Sequence, residues 1–398
     1  MSLFRHKLYL ATILGHFTVD IFASMSTIVV TFFSVPMLLT GAQIGLTLGI
    51  YQFIGAVTQP FFGWLTDHKG SRWLGPASVG WIAGFMALSA WVAQSTHNFT
   101  LFFVLFSIAA LGGGAFHPQG TMHAGSAILS RAATATAVFF LFGQSGLSSG
   151  PLLAGFLLEH VGAVGIVLLA LLTMPLLVFM TITMRHAGPP AHASTTGAGL
   201  HLPQPGVRWG ALGLLALVVG LRSWAALGTV AFLPKLFQSM GWDATAYGAI
   251  TSVFWLASGI AGVVAGHLAD RWGRRPVVFG TLLAGSLVLF FLPVNSSWVA
   301  FPLAMTVGGM LGASHSILVV IAQALLPGRK AFASGVTLGY IFGTGALATW
   351  VIGALADVWG LAFMIQIGAG VGIAAALLAL ALPSTQEAAL QTEQAAAP

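Results

Sequence analysis

No cysteine occurs in the chain, so disulfide frameworks, iron–sulfur clusters and thiolate metal centres are excluded. Charge is nearly as scarce: 14 basic and eight acidic residues among 398 make 6%, against about a quarter in soluble domains. With 57% hydrophobic residues and a mean hydropathy of +0.94, a water-soluble enzyme of this length is excluded. No P-loop occurs, so nothing points to a nucleotide site or another cofactor. The net charge of +6 does not point to nucleic acid, because the basic residues are scattered between apolar runs and form no patch.

What the chain has instead is long apolar runs, at 8–34, 43–66, 73–94, 99–126, 132–158, 162–184, 209–238, 244–269, 276–294, 298–325, 331–356 and 359–382. Each is near the roughly 20 residues needed to cross a bilayer. The first exceeds a signal-peptide core and reads as a membrane helix. The breaks carry helix-end chemistry, such as Thr40-Gly41, Asp67-His68-Lys69-Gly70 and Gly241-Trp242-Asp243. The segment 185–208 holds four Pro, four Gly and three His without apolar period. The chain is thus expected to be an all-α membrane protein of twelve transmembrane helices in two six-helix bundles, 1–184 and 209–382. A cytoplasmic linker, 185–208, joins them, and 383–398 is a cytoplasmic tail.

Twelve of the 14 basic residues, all except Arg222 and Lys235, fall on one side if the N-terminus is cytoplasmic, which places both termini there. Lys235 is expected to snorkel to the outer surface. The halves also repeat. Gly63-x-Leu65-x-Asp67 recurs as Gly266-x-Leu268-x-Asp270 at an offset of 203, and Gly155 with Glu159 matches Gly353 with Asp357 at an offset of 198. Such duplication suits carriers that rock one half against the other around a central site.

The stretches Gly63-Trp-Leu-Thr-Asp67-His-Lys69-Gly70-Ser-Arg72 and Gly266-His-Leu-Ala-Asp270-Arg271-Trp-Gly273-Arg274-Arg275 resemble the loop signature of the major facilitator superfamily. Ser71 stands where that signature has a basic residue. An aspartate at a helix C-terminus can accept hydrogen bonds from the next helix and pair with an arginine across the cytoplasmic seam. Gly63, Asp67, Lys69, Arg72, Gly266, Asp270, Arg271, Arg274 and Arg275 are therefore the expected cytoplasmic latch.

Within the superfamily the chain is similar to the fosmidomycin resistance exporters. The likeness lies in Gly15-His16-Phe17-x-x-Asp20, Gly114-Ala-Phe116-His117-Pro118, Gly146-Leu-Ser-Ser-Gly150-Pro151 and Ala322-Gln323-Ala-Leu-Leu-Pro327-Gly328-Arg329. The resemblance implies the major facilitator fold and a proton-driven exporter of small organic drugs or metabolites, not an enzyme, in an inner membrane. A monomer served by protons, lipid and a small-molecule substrate is expected. The alternative is an organic-anion uptake carrier or uniporter of the same fold.

Asp20 is the single carboxylate deep inside an expected span, where an ionised form costs roughly 2.5–3.5 kcal/mol. It must face water, find a partner or take a proton. His16 lies one turn earlier on the same face and either shares that proton or satisfies a backbone carbonyl. Arg222 sits at similar depth in the seventh run and serves either an anionic substrate or Asp20 itself. In the fourth run Pro118 removes a backbone donor, so a kink is expected, and His117 is a third proton-coupling candidate with His315 as its counterpart at an offset of 198. In the exporters the residue after His-Pro is commonly Glu, whereas Gln119 stands here.

Arg222, Gln52, Tyr51, Gln119, Gln144, Trp224, His315 and Tyr340 are the substrate-binding candidates. Gly143, Gly146 and Gly150 are spaced for close helix contact, with Pro151 bending the helix. Gly143-Gln-Ser145-Gly146 also matches the G-x-S-G of intramembrane serine proteases, which would leave the duplicated loops unexplained. No metal site is expected from His117 and His315, because no cysteine or nearby carboxylate accompanies them.

Overall fold

The computed structural model describes residues 5–126, 132–185, 209–326 and 330–383, of which 132–133 and 330–335 are described by backbone alone. The 186–208 linker, most of the 383–398 tail, Arg131 and Arg329 lie outside the described residues. Each expected run is helical. In chain order these are α1 (Lys7–Ser34), α2 (Gly41–Val57 continued by Gln59–Lys69), α3 (Leu74–Thr96), α4 (Phe99–Ser126), α5 (Ala132–Val161) and α6 (Ala163–Leu172 continued by Met174–Met184). The second set comprises α7 (Trp209–Ser239), α8 (Ala244–Trp272), α9 (Arg274–Phe291), α10 (Ala300–Leu325), α11 (Lys330–Trp359) and α12 (Leu361–Ala379). Among the described residues, eleven are long and apolar enough to cross a membrane by themselves, α2 not among them. Helix α2 breaks at Thr58 ahead of Pro60, as α6 does at Thr173 ahead of Pro175, because proline brings no backbone donor.

Local chemistry sets the helix ends. Thr40 and Gln43 form a reciprocal capping box at the start of α2, and Asp243 accepts a 2.7 Å bond from the Ala246 N–H at the start of α8. The duplicated loop ends α2 at Gly70 (φ 75°) and α8 at Gly273 (φ 90°). The second glycine of that signature is required because a side chain would be strained in this left-handed backbone.

The halves meet along α2 against α11 and α5 against α8. A Cβ at Gly45 or Gly49 would stand 2.6 or 2.7 Å from the backbone oxygen of Thr349 or Ala346, so only glycine permits this approach. Helix α5 continues through Pro151, beyond which the Leu152 N–H donates to Ser252 Oγ of α8 at 2.9 Å.

Two carboxylates seal the end where α2 and α8 begin. Asp357, closing α11, accepts from the Gly41 and Ala42 N–H groups at 2.6 and 2.9 Å, and Glu159, closing α5, accepts from the Thr245 N–H at 2.8 Å. Each supplies a cap to a helix of the other half. Lys235 is not a free snorkelling cation: its Nζ donates to Ser34 Oγ at 2.9 Å and Gln238 Oε1 at 2.8 Å, tying α7 to α1.

At the opposite end, Asp67, Lys69, Arg72, Asp270 and Arg271 are exposed, and no ion pair joins them among the described residues. A Cβ at Gly262 or Gly266 would meet nothing within 4 Å, and Gly63 faces Pro118 of its own half. Arg275 donates to the Leu382 carbonyl at 3.3 Å, also within its half. The structure is sealed at the Glu159–Asp357 end and does not bring the latch residues together.

Candidate functional site

Helix α1 carries Asp20 and His16 one turn apart, and α4 brings His117 to the same carboxylate. Asp20 Oδ2 lies 3.2 Å from His16 Nε2, and Oδ1 lies 3.2 Å from His117 Nε2. All three donor atoms fall within 4.8 Å of one another. Asp20 and His16 are buried, whereas a third (32%) of the His117 side chain is exposed, making it the accessible member.

Both rings are fixed by backbone carbonyls. His16 Nδ1 lies 2.8 Å from the Phe139 oxygen and His117 Nδ1 lies 2.7 Å from the Gly113 oxygen. A carbonyl can only accept, so each Nδ1 carries a hydrogen, a tautomer assigned from the hydrogen-bond network. In a neutral imidazole the Nε2 is then a lone pair, and both point at a carboxylate. Acceptors facing acceptors at 3.2 Å demand a cation between them. Phe139 also stacks on His16 with centroids 3.9 Å apart.

Helix α5 can pack this closely because of its glycines. A Cβ at Gly143 would stand 2.7 Å from both His16 Nε2 and Asp20 Oδ2, and one at Gly146 would be 3.0 Å from Asp20 Cβ. Gly150 presses on Ser24 and Ile21 of α1 in the same way. Gly143 is one of the glycines whose spacing marks a close helix contact in the sequence, whereas Phe139 acts through a backbone oxygen that no sequence marks.

The other half builds a cationic counterpart on α7 and α10. Arg222, 3% exposed, donates from Nη2 to the Leu311 carbonyl at 2.9 Å and from Nε to the same oxygen at 3.2 Å and Ser314 Oγ at 3.3 Å. Its Nη1 lies 3.4 Å from His315 Nδ1. No carboxylate pairs with it among the described residues, so the expectation of an Asp20–Arg222 pair is corrected: Asp20 is satisfied by histidines of its own half. Directly after Arg222, α7 widens into a π-turn over Trp224–Gly228, a local irregularity often found at functional positions.

The remaining candidates divide. Tyr51 Oη, Gln52 Oε1 and Trp224 Nε1 are buried atoms without hydrogen-bond partners among the described residues. Tyr340 is 41% exposed, with its hydroxyl beside Gly220. Gln144 reaches across the interface towards Gly259 of α8. Gln119 is fully buried against α3: its amide nitrogen donates to Ser78 Oγ at 3.4 Å, while its Oε1 has no hydrogen-bond partner among the described residues. Ser145 spends its hydroxyl on the Leu141 carbonyl of its own helix at 2.8 Å. The expectation that no carboxylate accompanies His117 is also overturned, since Asp20 stands between it and His16. A cleft of about 660 Å³ at the sealed end, lined by Thr40, Lys235, Asp357 and Gln366, contains none of these groups.

Two six-helix halves, with a buried ionisable cluster in one and in the other an arginine without an acidic partner among the described residues, form the arrangement of a membrane carrier. The sequence profile of the Major Facilitator Superfamily matches residues 8–235 and again 212–397, and the chain belongs to that family of transporters. It is 28% identical to the "Uncharacterized MFS-type transporter YfnC" of Bacillus subtilis strain 168, over 88% of this chain and 86% of the relative. It is 26% identical to the "Fosmidomycin resistance protein" of Escherichia coli strain K12, over 86% and 85%. Among solved structures, a D-xylose-proton symporter superposes with a TM-score of 0.76 at 16% identity, over 97% of this chain and 99% of its own. The nucleoside transporter NupG gives 0.72 at 15%, over 94% and 98%.

Proposed function

We propose that this transporter exports a small organic drug or metabolite across an inner membrane in exchange for protons, with both termini cytoplasmic. The observation that carries the reading is the convergence of His16, Asp20 and His117 on one cation-sized position without an arginine to neutralise the carboxylate. A proton fills that position and can be exchanged with the cavity through the part-exposed His117 ring. With the Glu159–Asp357 end outside, the structure opens inward. Rocking then breaks the two carboxylate caps and closes Asp67 and Asp270 against the facing half.

Arg222, desolvated and without an acidic partner among the described residues, favours a substrate with a carboxylate or phosphonate group. The same observation supports the second reading, organic-anion uptake or uniport. Efflux is preferred because curated relatives carry resistance names, a fosmidomycin resistance protein and the multidrug resistance protein MdtG.

The test is transport in proteoliposomes under imposed pH and voltage gradients, with phosphonates, lipophilic cations and aromatic drugs as candidate cargo. Wild-type protein should concentrate a substrate against its gradient when only pH differs, and Asp20→Asn should lose this while retaining substrate exchange. Accumulation by Asp20→Asn equal to wild type would remove Asp20 from coupling, and accumulation insensitive to pH would remove proton coupling altogether.

A further inference from the structure

The donor set beside Asp20 fits more than a proton. Two imidazole Nε2 atoms and a carboxylate face one point, the combination that binds borderline divalent transition metals such as Zn²⁺, Co²⁺, Ni²⁺ and Fe²⁺. Spacing agrees. Ligands about 2.0 Å from a tetrahedral ion stand roughly 3.3 Å from one another. The two histidine–carboxylate separations here are 3.2 Å, and the largest separation within the triad is no more than 4.8 Å. The remaining gap, between the two histidines, closes with a shift of no more than about 1.5 Å from the tetrahedral spacing.

Orientation agrees as well. A metal-binding histidine ordinarily donates its other ring N–H to a carbonyl or carboxylate, which fixes the tautomer and aims the lone pair at the ion. His16 has this arrangement with Phe139 and His117 has it with Gly113, from two different helices. The absence of thiolate argues against Cu⁺, and a lone carboxylate supplies too little oxygen for Ca²⁺ or Mg²⁺. Three protein ligands leave the fourth position of a tetrahedral ion to a non-protein ligand.

We propose that His16, Asp20 and His117 form a binding site for one divalent transition-metal ion, which occupies the position a coupling proton otherwise takes. The ion enters as a competitor for the site, and no electron transfer is involved.

The experiment titrates Co²⁺ into the purified full-length protein in detergent and follows its visible d–d absorption, with Zn²⁺ and Mg²⁺ as competitors. One Co²⁺ per chain is expected, displaced by Zn²⁺ and untouched by Mg²⁺. Loss of one ligand in Asp20→Asn, His16→Ala or His117→Gln should weaken binding at least about tenfold, since even outer partners of metal ligands are worth that much. His117→Gln keeps the test sound if the buried variants fold poorly, which elution profile and helical circular dichroism report.

Equal Co²⁺ binding by wild type and His117→Gln would overturn the site and assign the signal to other histidines, such as His186, His192 and His201 of the linker. Binding is read without gradient or cargo, so its failure leaves proton coupling standing. The reverse result, Co²⁺ bound without pH-driven transport, removes only the coupling.

Discussion

Asp357 of α11 caps the first turn of α2 in the opposite half, its two oxygens accepting from Gly41 and Ala42 at 2.6 and 2.9 Å. Glu159 repeats the device between α5 and α8 at 2.8 Å from the Thr245 N–H. The carboxylates sit 198 residues apart at equivalent places in the duplicated halves. Both sets of bonds cross between the halves at the sealed end.

Asp357→Ala is therefore expected to favour the state opened at that end. An N-cap is worth about 1 kcal/mol, or about fivefold in the ratio of the two states. Asp357→Asn should lose less, because its amide oxygen still accepts. The natural chain has no thiol, so a single Thr349→Cys, buried beneath Gly45, reports the change. Its labelling should accelerate severalfold in Asp357→Ala, and an unchanged rate would deny Asp357 a part in the seal.

Gly143 is the test of how the triad is held. Adding a methyl there drives a carbon against His16 and Asp20, and overpacking of this kind costs about 1–3 kcal/mol. Gly143→Ala should lower the melting temperature and abolish pH-driven transport. Gly84→Ala, which would meet nothing within 4 Å, should do neither. Transport at the wild-type rate by Gly143→Ala would show that the close packing of α5 on the triad is dispensable.

Arg222 separates cargo from coupling. Arg222→Lys keeps the charge but loses the planar fork that bonds the Leu311 carbonyl through both Nε and Nη2. Affinity for an anionic substrate should fall about tenfold or more, corresponding to the roughly 1.5–3 kcal/mol of a charge-assisted hydrogen bond. Proton uptake should persist. Binding followed by tryptophan fluorescence, with proton flux recorded separately, distinguishes the two effects; equal losses in both would merge the sites.

The twelve helices were legible because a bilayer imposes length and apolarity directly on the chain. The duplicated loops exposed the two halves. His16 and Asp20 were legible as partners because they lie one helical turn apart, whereas the approach of His117 crosses 97 positions and needs the fold. Metal binding was set aside for lack of a neighbouring carboxylate, when the neighbour was distant only in sequence.

The direction of Gln119 was hidden for another reason. A membrane helix is apolar towards lipid and towards its neighbours alike, so periodicity no longer says which way a side chain points. Gln119 turned towards α3, one position beyond a proline that already obscures the register. The caps made by Asp357 and Glu159 were visible as repeated positions, yet what they touch belongs to the opposite half.

The unequal furnishing of two otherwise matched halves has a consequence for how the protein can change. The carboxylate and its two histidines stand on α1 and α4, held by α5, and the buried guanidinium stands on α7 and α10. On the proposed reading, substitutions around Arg222 would retune what is carried while the power supply stays as it was, and the reverse exchange of driving ion need not disturb the choice of passenger.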